Sequence, residues 1–199
     1  MIPSTKEKIL AASLELIKSE GIEHVTIRKI AALAGTNVAL INYYFGSKER
    51  LISETLKIQL QSFQEAFSVF DEMDLPPLVR LKNFLMNYTS SIQAHPELIK
   101  RVLGQEQLFE SQTEYVEFLK SQGIEKLSAA ITEMIGPAER ERVLLMIQQI
   151  FAAILSPIIK ASFAEKNGAH KDKQFHVTAS VEEQIDLFLE LYFHKFTAR

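Results

Sequence analysis

The amino-acid sequence predicts an all-α fold, with a small N-terminal helical domain followed by a larger helical body. Apolar residues recur at helical spacing along the 199-residue chain, and no segment shows the sustained alternation typical of a β-strand. Hydrophobic residues make up 47% of the chain, enough for a substantial core. Counting start and stop signals, we expect about nine helices, with three of them bundled in residues 1–50 and the others in residues 51–199.

Start and stop signals define the first two helices. Ser4 or Thr5 can cap the first helix, which ends at Gly21. Thr26 caps the second helix, and Gly35 ends it because glycine enters a left-handed cap without a Cβ clash. One buried stripe of the second helix is formed by Ile27, Ile30, Ala31 and Ala34.

A third short helix follows Gly35 after a tight turn, so the sequence predicts a helix-turn-helix at about residues 26–45. Ile41 and Phe45 lie four residues apart and mark the inner face of this third helix. The outer face carries small, amide and tyrosine side chains instead of the charges typical of a solvated helix. Such a surface suits base edges and phosphates, which indicates a helix that enters a DNA major groove.

The remaining chain predicts longer helices. Ser47 caps a helix that extends to about Phe70, and Pro76 or Pro77 occupies the first turn of the next one. Further helices are expected from His95, from about residue 111 to 135, and from residue 181 to 196. Residues 143–163 are apolar almost all round, which is typical of a helix buried on several sides.

Composition and charge narrow the class of protein. The chain has no cysteine and lacks the basic-then-apolar start of a signal peptide. No apolar run approaches the roughly 20 residues that cross a bilayer, so we expect a soluble, cytoplasmic protein without membrane contact. The net charge is −3, yet residues 1–50 hold seven Lys/Arg against five Asp/Glu. A basic head on an acidic body fits a protein that meets DNA at one end.

The N-terminal region resembles the TetR family of bacterial transcription regulators. The resemblance covers about residues 3–60 in fixed register, and beyond residue 60 only the helical plan and the length are similar. It implies an all-helical homodimer with a ligand-binding body, whose last two helices pair across a two-fold axis. The matching positions are Ile9, Ala12, Gly21, Thr26, Ile27, Ile30, Ala31, Ala34, Gly35, Ile41, Tyr44, Phe45, Ser47, Lys48 and Leu51.

The resemblance also assigns DNA contacts position by position. It places Thr26, Tyr43 and Lys48 against phosphates, and Arg28 against a phosphate or a guanine edge. Many members of the family carry tyrosine where this chain has Asn42, whose shorter amide can pair with adenine; reading of a base by Asn42 is therefore a hypothesis. The positions expected to approach bases are Asn37, Val38, Ala39, Leu40 and Asn42.

Two further sites follow from the resemblance to this family. The residues expected to line an effector pocket are Phe84, Asn87, Tyr88, Gln107, Gln148 and Phe151. The alternative is that the aromatic members simply fill a core. Apolar stripes on the last two helices exceed what a monomer must bury, which predicts a four-helix dimer interface. Its expected residues are Ile147, Phe151, Ile154, Ile158, Ile185, Leu189, Tyr192 and Phe196.

The function expected from the sequence is that of a homodimeric repressor, which a small-molecule effector releases from a pseudo-palindromic double-stranded operator. An architectural or cell-cycle DNA-binding protein without a metabolite switch is the alternative, and an enzyme or carrier with a relic head is a third class. The sequence has no nucleophile elbow, phosphate-binding glycine loop or Rossmann fingerprint. Its five histidines lack metal-ligand spacing. We therefore expect no enzyme activity, no cofactor and no metal site.

Overall fold

The computed structural model describes residues 3–95, 109–167 and 179–197, and all regular structure within them is helical. The all-α prediction is thus confirmed. The helix expected from His95 falls almost wholly outside the described residues. The helices are α1 Thr5–Glu20, α2 Ile27–Ala34, α3 Val38–Phe45, α4 Lys48–Glu65, α5 Pro77–Ala94, α6 Glu110–Phe118, α7 Ile124–Ile135, α8 Arg140–Asn167 and α9 Val181–Thr197.

Short segments of other helical types interrupt or extend the α-helices. Helix α4 ends at Glu65 and continues as the 3-10 segment Ala66–Asp71, close to the end predicted at Phe70. Helices α6 and α7 are joined by the π-helical turn Leu119–Gly123. Together these three pieces form the continuous helical run that the sequence predicts between residues 111 and 135.

The chain divides into two compact units. The first unit consists of Met1–Gln61 and Lys100–Val116, and the second consists of Ser62–Ile99 and Glu117–Arg199. Helix α4 belongs to the first unit up to residue 61 and to the second unit from residue 62. The boundary expected at residue 50 lies in the first turn of α4.

One apolar core holds the first unit together. The start of α6 joins this unit through the Ser53 hydroxyl, which accepts a hydrogen bond from the backbone N–H of Ser111 at 3.0 Å. One turn further along, Lys57 forms an ion pair with Glu114 at 2.9 Å. The core side chains from α1 to α4 that are almost completely buried are Ile9, Ile17, Ile30, Ile41, Phe45, Leu51, Ile52 and Leu56.

Side-chain caps fix where α2 and α3 begin. The Thr26 hydroxyl accepts a hydrogen bond from the N–H of Lys29 at 3.3 Å, as expected for a cap at this position. The Asn37 side-chain oxygen accepts one from the N–H of Leu40 at 2.8 Å, which the sequence analysis had missed. Gly35 lies between these two helices with φ +64°, so the predicted left-handed end of α2 is confirmed.

An aromatic cluster forms the core of the second unit, and α5 contributes its centre. The ring of Phe84 lies 4.7 Å from that of Phe67 and 5.2 Å from that of Tyr88, measured between centroids. The rings of Tyr88 and Phe151 stack at 6.2 Å. The π-helical turn packs on the same cluster: a Cβ on Gly123 would lie only 3.1 Å from two ring carbons of Phe67. Only glycine therefore fits at position 123 without displacing that ring.

Over its residues 143–159, whose burial the structure describes, helix α8 is buried on one side only, contrary to the expectation for residues 143–163. Its inner side packs on α5 and α7, whereas Leu144, Leu145, Gln148 and Gln149 are exposed. The segment Arg140–Ile159 is also long and apolar enough to cross a membrane by length and composition alone. The expectation that no apolar run approaches that length was therefore wrong. The core helix of a soluble protein passes the same test.

Arg80 is a buried charge that ties the loop before α5 to the rest of the second unit. Its guanidinium donates to the backbone oxygen of Leu75 at 3.0 Å and to that of Phe70 at 3.3 Å. It also forms an ion pair with Glu133 of α7, whose carboxylate stays partly exposed. These contacts satisfy one backbone carbonyl in the loop and one in the 3-10 segment before it, and they compensate the guanidinium for its loss of water.

Replacing Arg80 with methionine tests this role. We expect Arg80→Met to lower the free energy of unfolding by about 2–4 kcal/mol, because two backbone carbonyls lose their charged donor. The matched control is Lys126→Met, which removes an exposed ion pair with Asp71 and should cost less than about 1 kcal/mol. Urea unfolding followed by circular dichroism measures both values. Equal losses in the two variants would contradict this role for Arg80.

The Asn37 cap is tested by a pair of substitutions at the same position. We expect Asn37→Ala to lower the free energy of unfolding by about 1 kcal/mol, since the N–H of Leu40 loses its acceptor. Asn37→Ser keeps an acceptor at this position and should restore most of the loss. Thermal unfolding of the three proteins checks this. A serine variant as unstable as the alanine variant would show that capping is not the cause.

Candidate nucleic-acid interface

Burial of one side of α3 exposes the other side. Ile41 and Phe45 are 0% and 1% exposed, so the inner face of this helix is confirmed. Helical geometry then turns the next positions outward, and the Tyr43 side chain is 80% exposed. The predicted contact residues that are exposed are Thr26, Arg28, Asn37, Val38, Ala39, Asn42 and Tyr43, while Leu40 and Lys48 are half-buried.

Polar atoms of two predicted contact residues already have partners within the protein. The side-chain oxygens of Thr26 and Asn37 accept backbone hydrogen bonds as helix caps. The Thr26 O–H and the Asn37 side-chain N–H groups remain as donors on the outer surface. Both residues can therefore donate to a phosphate or a base while they cap their helices, but their side-chain oxygens already accept the capping hydrogen bonds.

The basic side chains near α2 differ in how they are held. Arg28 is exposed and has no ion-pair partner among the described residues. Its neighbour Lys29 bonds to a Glu20 carboxylate oxygen at 2.5 Å and to the backbone oxygen of His24 at 3.2 Å. Arg28 is thus available to an external anion, whereas the Lys29 ammonium is neutralised within the protein.

The two adjacent tyrosines of α3 support each other. The rings of Tyr43 and Tyr44 meet edge to face, with centroids 5.3 Å apart, and both side chains are exposed. This contact limits the rotamers that Tyr43 can adopt, so its phenol projects from a restricted position. A hydroxyl held in this way is suited to contact a phosphate.

The residues expected to bind an effector do not form one site in the structure. Phe84, Tyr88 and Phe151 belong to the packed aromatic cluster. Asn87 and Gln148 are exposed, and Gln107 lies outside the described residues. The ring-to-ring contacts agree with the alternative that these aromatic side chains fill a core.

The residues expected at a dimer interface differ in how far the protomer itself buries them. Those buried within the protomer are Ile147, Ile154, Ile158, Ile185 and Leu189. The aromatic members Phe151, Tyr192 and Phe196 are half-buried. Because α8 and α9 are apolar on both sides, periodicity alone does not identify which side faces the core.

The opposite side of α8 and α9 exposes leucines that the sequence analysis had overlooked. Leu145 is 51% exposed on α8, and Leu187 and Leu191 are 58% and 69% exposed on α9. The Tyr192 hydroxyl donates to the side-chain oxygen of Gln149 at 2.5 Å and connects the two helices. Burial raises the pKa of the Tyr192 phenol, so it remains a neutral donor at physiological pH. We call Leu145, Leu187 and Leu191 the leucine face.

No group of three His, Asp or Glu side chains in the part of the chain that the structure describes could hold a metal ion. The surface formed by α2 and α3 combines exposed donors, an exposed guanidinium and a tyrosine pair.

Comparisons with known proteins identify a family that matches the segment carrying this surface. Residues 9–55 match the family described as bacterial regulatory proteins, tetR family. NicS, an HTH-type transcriptional repressor of Pseudomonas putida, is 30% identical over 134 residues, which are 67% of this chain and 60% of NicS. The matched segment thus spans less than two thirds of that relative's length.

Solved structures share the whole fold. A TetR-like transcriptional regulator from Rhodococcus sp. RHA1 superposes with a TM-score of 0.65 at 17% identity, and each chain is covered completely. A TetR transcriptional regulator from Legionella pneumophila gives a TM-score of 0.66 at 19% identity, covering 96% of this chain and 98% of that one. The family match over residues 9–55 and the similarity to NicS show that the chain belongs to the TetR family of bacterial transcriptional regulators, and the solved structures show that it shares the fold of such proteins.

Proposed function

We propose that the protein is a homodimeric repressor, that it binds a pseudo-palindromic operator through α3, and that a small molecule releases it. The observation that carries the proposal is the outward face of α3, where Asn42 and Tyr43 are exposed, together with the exposed guanidinium of Arg28 on α2, which has no ion-pair partner among the described residues. The name of NicS, a transcriptional repressor, supports repression over activation.

In operator binding, some residues of this surface would contact phosphates and others would contact bases. Tyr43, Lys48 and the Thr26 hydroxyl would contact phosphates and set the position of the helix. Ala39 and Asn42 would lie closest to base edges, Asn42 as a bidentate partner for adenine. The half-buried Leu40 would contribute an apolar contact to a thymine methyl group. Val38 and Asn37 at the start of α3 complete the contact set.

The leucine face supports the dimer. Three exposed leucines on two adjacent helices leave apolar surface in water, and a second copy of the chain can cover it by pairing α8 and α9 across a two-fold axis. A symmetric dimer would place two α3 helices about 34–36 Å apart, or a multiple of this, as successive half-sites on DNA require.

The effector step rests on the aromatic cluster and on α4. A ligand that separated the rings of Phe84, Tyr88 and Phe151 would disturb the core against which the end of α4 and its 3-10 extension pack. Because α4 begins at Lys48, a shift of this helix would move a proposed phosphate contact. The change in operator affinity would be limited by the ligand's preference between the two states, typically about 1–3 kcal/mol.

The close packing of this cluster also keeps the alternative function open. A protein whose aromatic core does not open would bind DNA without a metabolite switch, as an architectural or cell-cycle protein does. Screening small molecules for release of a bound operator fragment separates the two functions. A compound that releases the fragment while it binds the protein supports the switch.

DNA contacts are tested first by removing two cations. We expect Arg28→Ala and Lys48→Ala each to weaken binding to a selected genomic operator fragment by about tenfold or more, since each removes a charged contact. Arg50→Ala, which removes an exposed cation from the same first turn of α4 as Lys48, is the control and should change affinity by less than about threefold. Fluorescence anisotropy gives the affinities. If both test variants bind as the wild type does, the contact map is wrong.

The dimer is tested at the leucine face. We expect Leu191→Glu to convert the dimer to a monomer, because an interface carboxylate would lose its water without a partner. Met73→Glu, at a methionine that is 70% exposed in the loop before α5, should leave the dimer intact. Sedimentation velocity at micromolar protein distinguishes the two states. A dimeric Leu191→Glu variant would place the interface elsewhere, and a monomeric wild type would contradict the dimer itself.

A further inference from the structure

The Lys6 side chain joins three helices of the first unit. Its ammonium lies 5.5 Å from the centroid of the Phe45 ring, at the end of α3. The same ammonium forms an ion pair with Glu54 of α4 at 3.0 Å. One side chain of α1 thus contacts the last residue of α3 and the second turn of α4, and we call these three residues the Lys6 clamp.

The position of Lys6 in α1 does not favour a cation. Lys6 is the second residue of the helix, where the backbone dipole carries its positive end. A glutamate is better suited there, and Glu7 next to it completes a capping box with Ser4. The first turn of α1 therefore gains nothing from the charge of Lys6 itself, and the benefit must come from its partners on α3 and α4.

The clamp acts at the C-terminal end of α3. Phe45 is 1% exposed and fixes the end of α3 in the core, but a buried ring can still tilt with its helix. The ammonium over this ring and the Glu54 carboxylate beside it resist such a tilt, because both contacts depend on distance and direction. Lys6 and Glu54 remain partly exposed, so the clamp can adjust without unfolding the core.

We propose that Lys6 is a positioning residue for operator binding: through Phe45 and Glu54 it sets the angle between α3 and α4, and hence the angle at which α3 enters the groove. This inference rests on the proposed function. It differs from a direct role, in which Lys6 would itself contact a phosphate. The two roles predict opposite effects for the removal of Glu54.

The experiment measures affinity for an operator fragment that the wild-type protein selects from genomic DNA. We expect Lys6→Met to weaken binding about fivefold, the effect of losing one exposed cation–π contact and one exposed ion pair. Lys6→Arg keeps both contacts and should stay within about twofold of the wild type. Lys8→Met, which removes an exposed cation from the same turn of α1, is the matched control and should have no effect beyond about twofold.

Glu54→Gln separates the clamp from a phosphate contact. Removing a negative charge from a DNA-binding unit should strengthen binding if Lys6 contacts a phosphate, but the clamp predicts a loss in the same direction as Lys6→Met. The double variant should be no weaker than Lys6→Met alone, because both substitutions break one unit. The slope of log affinity against log salt should stay unchanged in Lys6→Met, whereas loss of a phosphate contact lowers it by about one.

The outcomes distinguish the clamp from a direct phosphate contact, and both from a failure of the proposed function. If Glu54→Gln binds more tightly or the salt slope falls by about one in Lys6→Met, the clamp is refuted and Lys6 is a phosphate contact. If the wild type binds an operator and both single variants bind equally well, the clamp alone is refuted. If the wild type retards no genomic fragment, the proposed function and the clamp fail together. Thermal unfolding confirms that the exposed substitutions leave the protein folded.

Discussion

The anchoring of α3 through its inner face is the constraint on which the proposed DNA-binding surface depends. A helix of eight residues is not stable in water by itself, so contacts outside it must hold it. Ile41 and Phe45 supply these contacts from the core, and Asn37 fixes the first turn. Because the helical period is fixed, burial of positions 41 and 45 leaves positions 39, 42 and 43 facing water. The chemistry of the outer surface is thus free to vary while the inner side chains keep its geometry.

The aromatic cluster that stabilises the second unit is also the place where we propose that a ligand acts. Each buried ring contributes a large apolar surface, and the edge-to-face contacts add a directional preference. A ligand that entered this cluster would have to replace ring-to-ring contacts with its own, which favours a largely apolar molecule with few polar groups. Phe67 and Gly123 limit how far the cluster can rearrange on the side of the π-helical turn, since no space separates them.

The sequence predicted where several helices begin and end, but it could not predict which side of a helix with two apolar sides faces the core. Thr26, Gly35 and Pro77 act on their immediate neighbours, so spacing alone predicted the helix ends near them. Helix α9 carries Ile185 and Leu189 on one side and Leu187 and Leu191 on the other. Both stripes fit an inner face, and only packing against α5, α7 and α8 decides between them. The contacts of Lys6 likewise join it to residues 39 and 48 positions away, which no local spacing rule detects.

Asn37 caps α3 and is also a proposed DNA contact, and its role as a cap constrains how operator preference can diverge among descendants of this chain. Its side-chain oxygen belongs to the backbone of α3, so drift at position 37 is confined to residues that supply an equivalent acceptor. The side chains at positions 39 and 42 do not cap a helix in the folded protein. New promoters would therefore be recruited through changes at these two sites, with position 37 inherited almost unchanged.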